Sequence, residues 1–391
     1  MLELLRNILI SGGSFVLVLG VVVVVHEFGH FQVGRWCGMA VKSFSIGLGP
    51  EWFGWTDKHN TRWKISKIPL GGFVSWADDT DPTSTLPAAP ETQALSQEEA
   101  RKRGYFRAMP LWRRALVTAA GPLANFVFSI LAFALLAFVA GRDLARIDGV
   151  APNSAAAEAG LQTGDVIVSV DGQEIRSFVR LQEIVAASAG QRLDVVVQRG
   201  DEAFSTSLTP RAQEAAEGAA ATTGRIGVSH ERRPGGSARL SPLESLAEGA
   251  TQTWDIVAQT GGYLGRVFTG RESGSQIAGP VGIFNVSGQI ASSALEQPQA
   301  APWEVFAALA LALLWLAAQI SVAVGIFNLL PVPVLDGGHL LFYAVEAVRG
   351  GRPLPPVAQE WAYRAGFAAL ASVFLFATWN DIVRLLPGSQ G

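Results

Sequence analysis

The sequence predicts a polytopic α-helical membrane protein with about four transmembrane helices, a membrane-associated β-hairpin and an inserted extracytoplasmic α/β domain. Three observations predict this. Hydrophobic residues make up 49% of the 391 residues and charged residues only 16%, well below the roughly 25% usual in soluble domains. The apolar residues are bunched into long uncharged runs, and mean hydropathy is +0.29. Between the second and third runs, the apolar spacing switches to that of short strands and one short helix. The net charge of −3 provides no field for nucleic acid. Cys37 is the only cysteine, so there is no intrachain disulfide.

In chain order, the spans are Ile8–Val25, Ala115–Val139, Val305–Leu330 and a shorter run, Gly366–Asn380, extended by "DIVRLL" to Leu386. About 20 helical residues cross a hydrocarbon core of about 30 Å. The alternative, buried helices of a soluble core, fits runs of this length poorly. The first run lacks a small-residue cleavage site and leads straight into a polar motif, so it is a retained anchor rather than a signal peptide.

Loop charge sets the orientation. Between spans one and two lie Arg35, Lys42, Lys58, Arg62, Lys64, Lys67, Arg101, Lys102, Arg103, Arg107, Arg113 and Arg114. The loop between spans three and four adds Arg349, Arg352 and Arg364. The positive-inside rule places both loops in the cytoplasm, and the termini and residues 141–302 outside it.

The chain then divides into a first span (1–35), a cytoplasmic loop with the hairpin (36–111), a second span (112–140), an α/β domain (141–212), a linker with an amphipathic extracytoplasmic region (213–302), a third span (303–340), and a cytoplasmic loop with the fourth span (341–391). Within the α/β domain, "DVIVSV" (165–170) and "RLDVVVQ" (192–198) are strands, "DG" (171–172) is a turn and "SFVRLQEIVAAS" is a helix. Residues 211–240 have linker composition. Leu243, Leu246, Ala250, Trp254 and Val257 have helical spacing, as in an interfacial helix or an ordinary packing helix. "DDTDPTSTLPAAPETQ" (78–93) is a polar, proline-rich loop, expected to be mobile.

At the end of the first span stands "HEFGH". His26 and His30 are four residues apart, on one face of a helix and one turn apart, so two imidazoles can share a zinc ion with Glu27 beside them as a base. Histidines merely satisfied inside a core are the alternative, but ionisable residues at membrane depth are costly and by default functional. Catalytic zinc needs a third protein ligand. His59 lies in a polar loop and His230 outside the cytoplasm. The third span runs parallel to the first, so "NLLPVPVLDGGHL" brings Asp336 to the same face at similar depth, with His339 the runner-up. Pro331 and Pro333 break the helix, and Gly337 and Gly338 permit unusual dihedrals, a break tolerated where backbone lines a wet cavity. Asn328 is placed to bind a substrate carbonyl, or to bond between helices.

"HEFGH" together with "NLLPVPVLDGG" resembles the site-2 protease family of intramembrane zinc metalloproteases. "FSIGLGP" (44–50), "IPLGGFV" (68–74) and "GPLANF" (121–126) agree with it, so the likeness covers nearly the whole chain. The resemblance implies that His26, His30 and Asp336 bind Zn2+ and that Glu27 is the catalytic base. It implies single-span membrane protein substrates, such as anti-sigma factors or signal-peptide remnants, cut within the inner membrane bilayer. "GVAPNSAAAEAGLQTGDVIVSVDGQEI" (149–175) resembles one bacterial PDZ domain. Some family members carry two, and no second copy is found here.

"RWKISKIPLGGFVSW" (62–76) reads as a hairpin bent at Gly71 and Gly72, with Phe73 beginning the return strand. A free strand edge there can take an unwound substrate as an added strand, in preference to a plain surface hairpin. The PDZ-like module is expected to bind a new C-terminus, to exclude bulky uncut proteins, or to act as a spacer. A non-catalytic scaffold is the alternative from another class, against which the intact motif argues. A transporter is disfavoured by the absence of repeated spans.

Overall fold

The computed structural model describes residues 2–79, 95–141, 144–175, 178–213, 223–230, 239–274, 279–295 and 301–385. The polar loop expected at 78–93 lies outside them from residue 80 on. So do residues 214–222 and 231–238 of the expected linker. The chain forms two units, one built from Met1–Phe133 with Gly249–Leu386 and the other around Ala134–Glu248.

In the first unit, four described helices are long and apolar enough to cross a membrane. They are α1 (Leu2–Trp36), α3 (Leu111–Ala140), α8 (Pro302–Leu329) and α10 (Pro356–Leu385). This is a multi-pass membrane protein. α1 continues past the apolar run through "HEFGHFQVGRW", whose two glycines and two histidines favour a helix little, because packing holds it there, with Phe31 in a buried cluster. Val18 and Val22 of α1 pack with Leu313, Leu316 and Ala317 of α8. His26 further along α1 meets Asp336, just beyond the end of α8. The two helices therefore run side by side in the same direction, as the span count requires.

β1 (Val41–Thr56) and β2 (Arg62–Trp76) are long and bent, so their pairing is richer than the hairpin expected over 62–76. Arg62–Ile65 pairs with the far half of β1, Phe53–Thr56, and also with its near half, Ser43–Ile46. The near half in turn pairs with Gly72–Trp76. The two arms of 62–76 thus do not pair with each other, because the start of β1 lies between them. The expectation missed this strand because "SFSIGLGP" carries its glycines at the bend. Gly47 and Gly49 adopt positive φ of 86° and 87° there. Gly72–Trp76 is an edge, with no strand on its outer side among the described residues.

The sheet is fixed to α1 by an aromatic cluster and one carboxylate. Phe31 lies 5.3 Å from Phe44 and 5.0 Å from Trp63, ring centre to ring centre. Asp57 accepts from Arg35 at 2.6 Å, from the Trp63 indole at 3.1 Å, and from the His59 and Thr61 backbone at 2.8 and 3.0 Å. Desolvation alone would raise Asp57, but these donors hold it well below the usual carboxylate range. At the other end of β2, buried Asp78 accepts from the Phe106 and Arg107 backbone amides, tying the edge strand to the segment that leads into α3. The short helix α2 (Gln97–Lys102) precedes it, with a Ser96–Glu99 capping box.

A helix that the sequence reading missed, α7 (Pro280–Leu295), lies in the chain between α6 (Pro242–Phe268) and α8. Its 16 residues are too few for a span. Its small face, Ser287, Gly288, Ala291 and Ala294, is buried. A side chain at Gly288 would collide with Ser11 of α1, the close approach that small residues allow between membrane helices. Asp381 of α10 receives the Gly282 amide at 2.8 Å and so holds the first turn of α7. α6 follows the expected stripe, with Leu243, Leu246 and Trp254 exposed.

The second unit has the expected α/β build. β4 (Val166–Val170), β5 (Gln173–Glu174), β6 (Leu193–Arg199) and β7 (Glu202–Leu208) form one antiparallel sheet in the order β5-β4-β6-β7. Helices α4 (Ala155–Glu158) and α5 (Phe178–Ala187) accompany it, and Ile147, Ile167, Leu181 and Val197 are core residues. The unit does not end at residue 212. The short strand β10 (Val228–Ser229) pairs with β3 (Gly149–Val150), and Ile226 enters the core. β8 (Arg211–Gln213) and β9 (Thr223–Arg225) form a further small pair. Strands of two or three residues carry no periodicity, so this return was invisible as a pattern.

Candidate metal centre

α1 presents His26 and His30 one turn apart, and α9 (Asp336–Val348) begins with Asp336 as its first residue. His26 Nε2 lies 3.1 Å from Asp336 Oδ2, His30 Nε2 lies 3.4 Å from it, and the two Nε2 atoms are 3.2 Å apart. Zinc bonds of about 2.0–2.1 Å in a tetrahedron space their donors by about 3.3 Å. The three donors are therefore spaced for one zinc ion. Asp336 Oδ2 is buried and accepts no hydrogen bond, as suits an atom whose natural partner is a cation. Among the described residues, this is the one cluster of three groups able to hold a metal.

The loop before α9 is compact for a reason other than the one expected. Gly337 and Gly338 do not adopt positive φ. A Cβ on Gly337 would strike the Leu330 carbonyl, and one on Gly338 the Val332 carbonyl. Both glycines let the helix start fold tightly onto "LLPVP". Gly366 of α10 makes room for Pro333, whose ring would lie 3.0 Å from an added Cβ.

α3 packs behind the histidines. His30 Nδ1 is 2.8 Å from the Val117 carbonyl, and His26 Nδ1 is 3.2 Å from the Asn125 amide. Between them, a side chain on Gly121 would collide with the His30 imidazole, and one on Gly29 with the Ala120 carbonyl. "GPLANF" thus contributes two site residues, Gly121 and Asn125, that sequence reasoning did not assign. The spacing of Val117, Gly121 and Asn125, successive steps of four along one helix face, was the available signal.

A cavity of about 900 Å³ opens onto the cluster, lined there by Glu27, His30, Val74, Asp336 and His339. Its walls continue to Gln97, Arg101, Arg107 and Asp79 of the basic segment between spans one and two. Burial pushes the Asp79 carboxyl up from its ordinary value, against the amide of Trp76 that it accepts. The arrangement gives a polar route from outside the helices to a carboxylate beside a metal cluster.

The other residues singled out by sequence fall as follows. Glu27 faces the cavity. A Cβ on Gly72 would sit 2.8 Å from the Ser45 carbonyl and 3.4 Å from Glu27 Cγ, so the strand passes against the Glu27 side chain. Gly71 takes a positive φ of 79° at the bend. Phe73 carries the Lys64 amine 4.5 Å above its ring, and the next residue, Val74, lines the cavity. Asn328 is half-buried in the last turn of α8. His339 stands outside the three-donor cluster, its ring 5.9 Å from that of Tyr363. His59 is at the hairpin turn, and His230 stacks on Phe178 in the α/β unit.

Comparisons with known proteins point to one family. The family model described as Peptidase family M50 matches residues 14–373. A Rhizobium meliloti protein named as a zinc metalloprotease is 40% identical over 386 residues, covering 97% of this chain and 98% of its own. The regulator of sigma-E protease RseP of Salmonella typhimurium is 29% identical over 484 aligned residues, covering 98% of this chain and 100% of its own. Among solved structures, the PDZ domain of an SdrC-like protein from Listeria monocytogenes aligns with 22% of this chain and 86% of its own, at 20% identity and a TM-score of 0.19. The chain belongs to peptidase family M50, the site-2 protease family, and is a zinc-dependent metalloprotease.

Proposed function

We propose that the protein hydrolyses peptide bonds in or beside the transmembrane segment of single-span proteins in the bacterial inner membrane, with His26, His30 and Asp336 as zinc ligands and Glu27 as catalytic base. The observation that carries this is the stack of three features at one point: a three-donor cluster, Glu27 on the same cavity, and a free strand edge passing against the Glu27 side chain at Gly72.

A transmembrane helix hides its backbone in its own hydrogen bonds and must unwind before it can be cut. The outer edge of Gly72–Trp76 offers backbone groups that take the unwound segment as an added strand and fix its register. Gly71, Gly72 and Phe73 supply backbone at the start of that edge, and Asn328 is placed to hold a substrate carbonyl. Zinc at the cluster supplies a Lewis acid that polarises the scissile carbonyl and acidifies water. Glu27 takes the proton from the attacking water and returns it to the leaving amide nitrogen.

The aromatic anchors support the depth in this reading, and the basic loops support its sidedness. Trp36, Trp112 and Trp361 are exposed near the helix ends on the side of the cluster, where aromatic belts mark the interface. His26 lies ten residues inside Trp36, about 15 Å along the helix, which supports a cut within the bilayer; the basic loops at that end support water entry from the cytoplasm. The α/β unit, as a PDZ-like domain, faces the periplasm and limits access to proteins whose outer domain has already been trimmed. Anti-sigma factors and signal-peptide remnants meet that description. Removing residues 144–230 should permit cleavage of a substrate with its outer domain intact. Continued refusal of the untrimmed substrate by this deletion would rule out filtering by this unit.

A further inference from the structure

We propose that helix α3 sets the tautomer of both motif histidines, with Asn125 as a positioning residue that directs the His26 lone pair to the metal. The proposal rests on reading His26, His30 and Asp336 as the ligands. An imidazole that binds zinc through Nε2 must carry its proton on Nδ1, and that proton needs an acceptor; such outer partners orient the ring and raise its basicity.

For His30 the acceptor is the Val117 carbonyl at 2.8 Å. A backbone carbonyl only accepts, so the tautomer of His30 is fixed. For His26 the partner of Nδ1 is the Asn125 side chain at 3.2 Å. An amide has two faces. With the NH2 toward His26, it would donate into Nδ1, force the proton onto Nε2 and aim an N–H at the cluster. With the carbonyl toward His26, it accepts the Nδ1 proton and frees Nε2. Asn125 is fully buried, and its Oδ1 has no hydrogen-bond partner, so that oxygen is available once the amide turns by 180°.

The rest of the helix makes this placement rigid. The Asn125 main-chain carbonyl accepts from Ser129 Oγ at 2.9 Å and from Ser321 Oγ of α8 at 3.2 Å. Gly121 allows the close approach. Residues 117, 121 and 125 therefore form one face of α3 that matches the 26–30 spacing of α1 turn for turn.

The test uses the full-length protein in detergent, with the zinc dissociation constant read by chelator competition. Asn125→Leu keeps the bulk and removes the acceptor, and should raise the constant by about 10–100-fold. Asn125→Asp, which can only accept, should stay within about threefold of wild type. Asp336→Ala separates the two levels. If it binds zinc as wild type does, the ligand set is wrong and the proposal falls with it. If it loses zinc while Asn125→Leu does not, the role of Asn125 alone is overturned. Should the variants fail to accumulate, 15N shifts of the histidines in zinc-loaded wild type still decide. Both motif imidazoles are expected as Nδ1–H, and an Nε2–H on His26 contradicts the proposal.

Discussion

Two residues without functional groups on their side chains shape the three-donor cluster. Gly121 leaves only a hydrogen where any side chain would meet the His30 ring, and Gly29 does the same against the Ala120 carbonyl. Gly121→Ala should therefore push the ring off its axis and raise the zinc dissociation constant at least about tenfold, measured by chelator competition, because ligand geometry tolerates little displacement. His26, Glu27, His30 and Asp336 were legible in the sequence because titratable groups stand out inside apolar runs. Gly121 and Asn125 were not, since a glycine and an amide in a membrane helix announce nothing until a second helix is placed against them. Gly337 and Gly338 were noticed for backbone freedom, and turned out to matter for close contact.

The bent β1–β2 sheet is the element that would present substrate to the cluster, and its attachment can be probed apart from the chemistry. Asp57 ties the sheet to Arg35 at the end of α1. Asp57→Asn should cost about 2 kcal/mol, the range for a hydrogen bond to a charged group, read as a lower unfolding temperature at pH 7. The carboxyl is depressed in the folded protein, so its contribution is complete above the unfolded carboxylate pKa of about 3.9 and is lost as pH falls below that toward the folded value. The gap between wild type and Asp57→Asn should persist at pH 5 and close only in stronger acid. Gly72→Ala places a methyl between the Ser45 carbonyl and Glu27. It should cut cleavage at least about tenfold while leaving bound zinc unchanged. If zinc is lost along with activity, Gly72 supports the centre rather than the strand. Only the 62–76 part of this sheet was legible by alternation; β1 and the strand order were not, because both depend on bends at Gly47, Gly49 and Gly71. α7 escaped notice for a related reason, being too short for a span and recognisable only by its small face against α1.

At the scale of the whole molecule, the length of α10 and its aromatic anchors agree with a membrane span. Trp361 and Trp379 sit eighteen residues apart on α10, about 27 Å of helix, close to the thickness of a hydrocarbon core. The sole cysteine, Cys37, is buried, so single cysteines introduced on its background report sidedness cleanly. Lys58→Cys should react with a membrane-impermeant maleimide only after the inner membrane is opened, and Asp201→Cys while it is intact. The reverse pattern would invert the topology. The claim on which everything else depends is that Glu27 performs proteolysis at a zinc centre within the membrane. The direct measurement is cleavage of a purified single-span substrate with a trimmed outer domain, reconstituted in liposomes with wild type or Glu27→Gln, zinc content being determined for both. The account predicts cleavage by wild type alone, at a bond within or beside the span, with equal zinc in the two proteins. Cleavage by Glu27→Gln at the wild-type rate would contradict it.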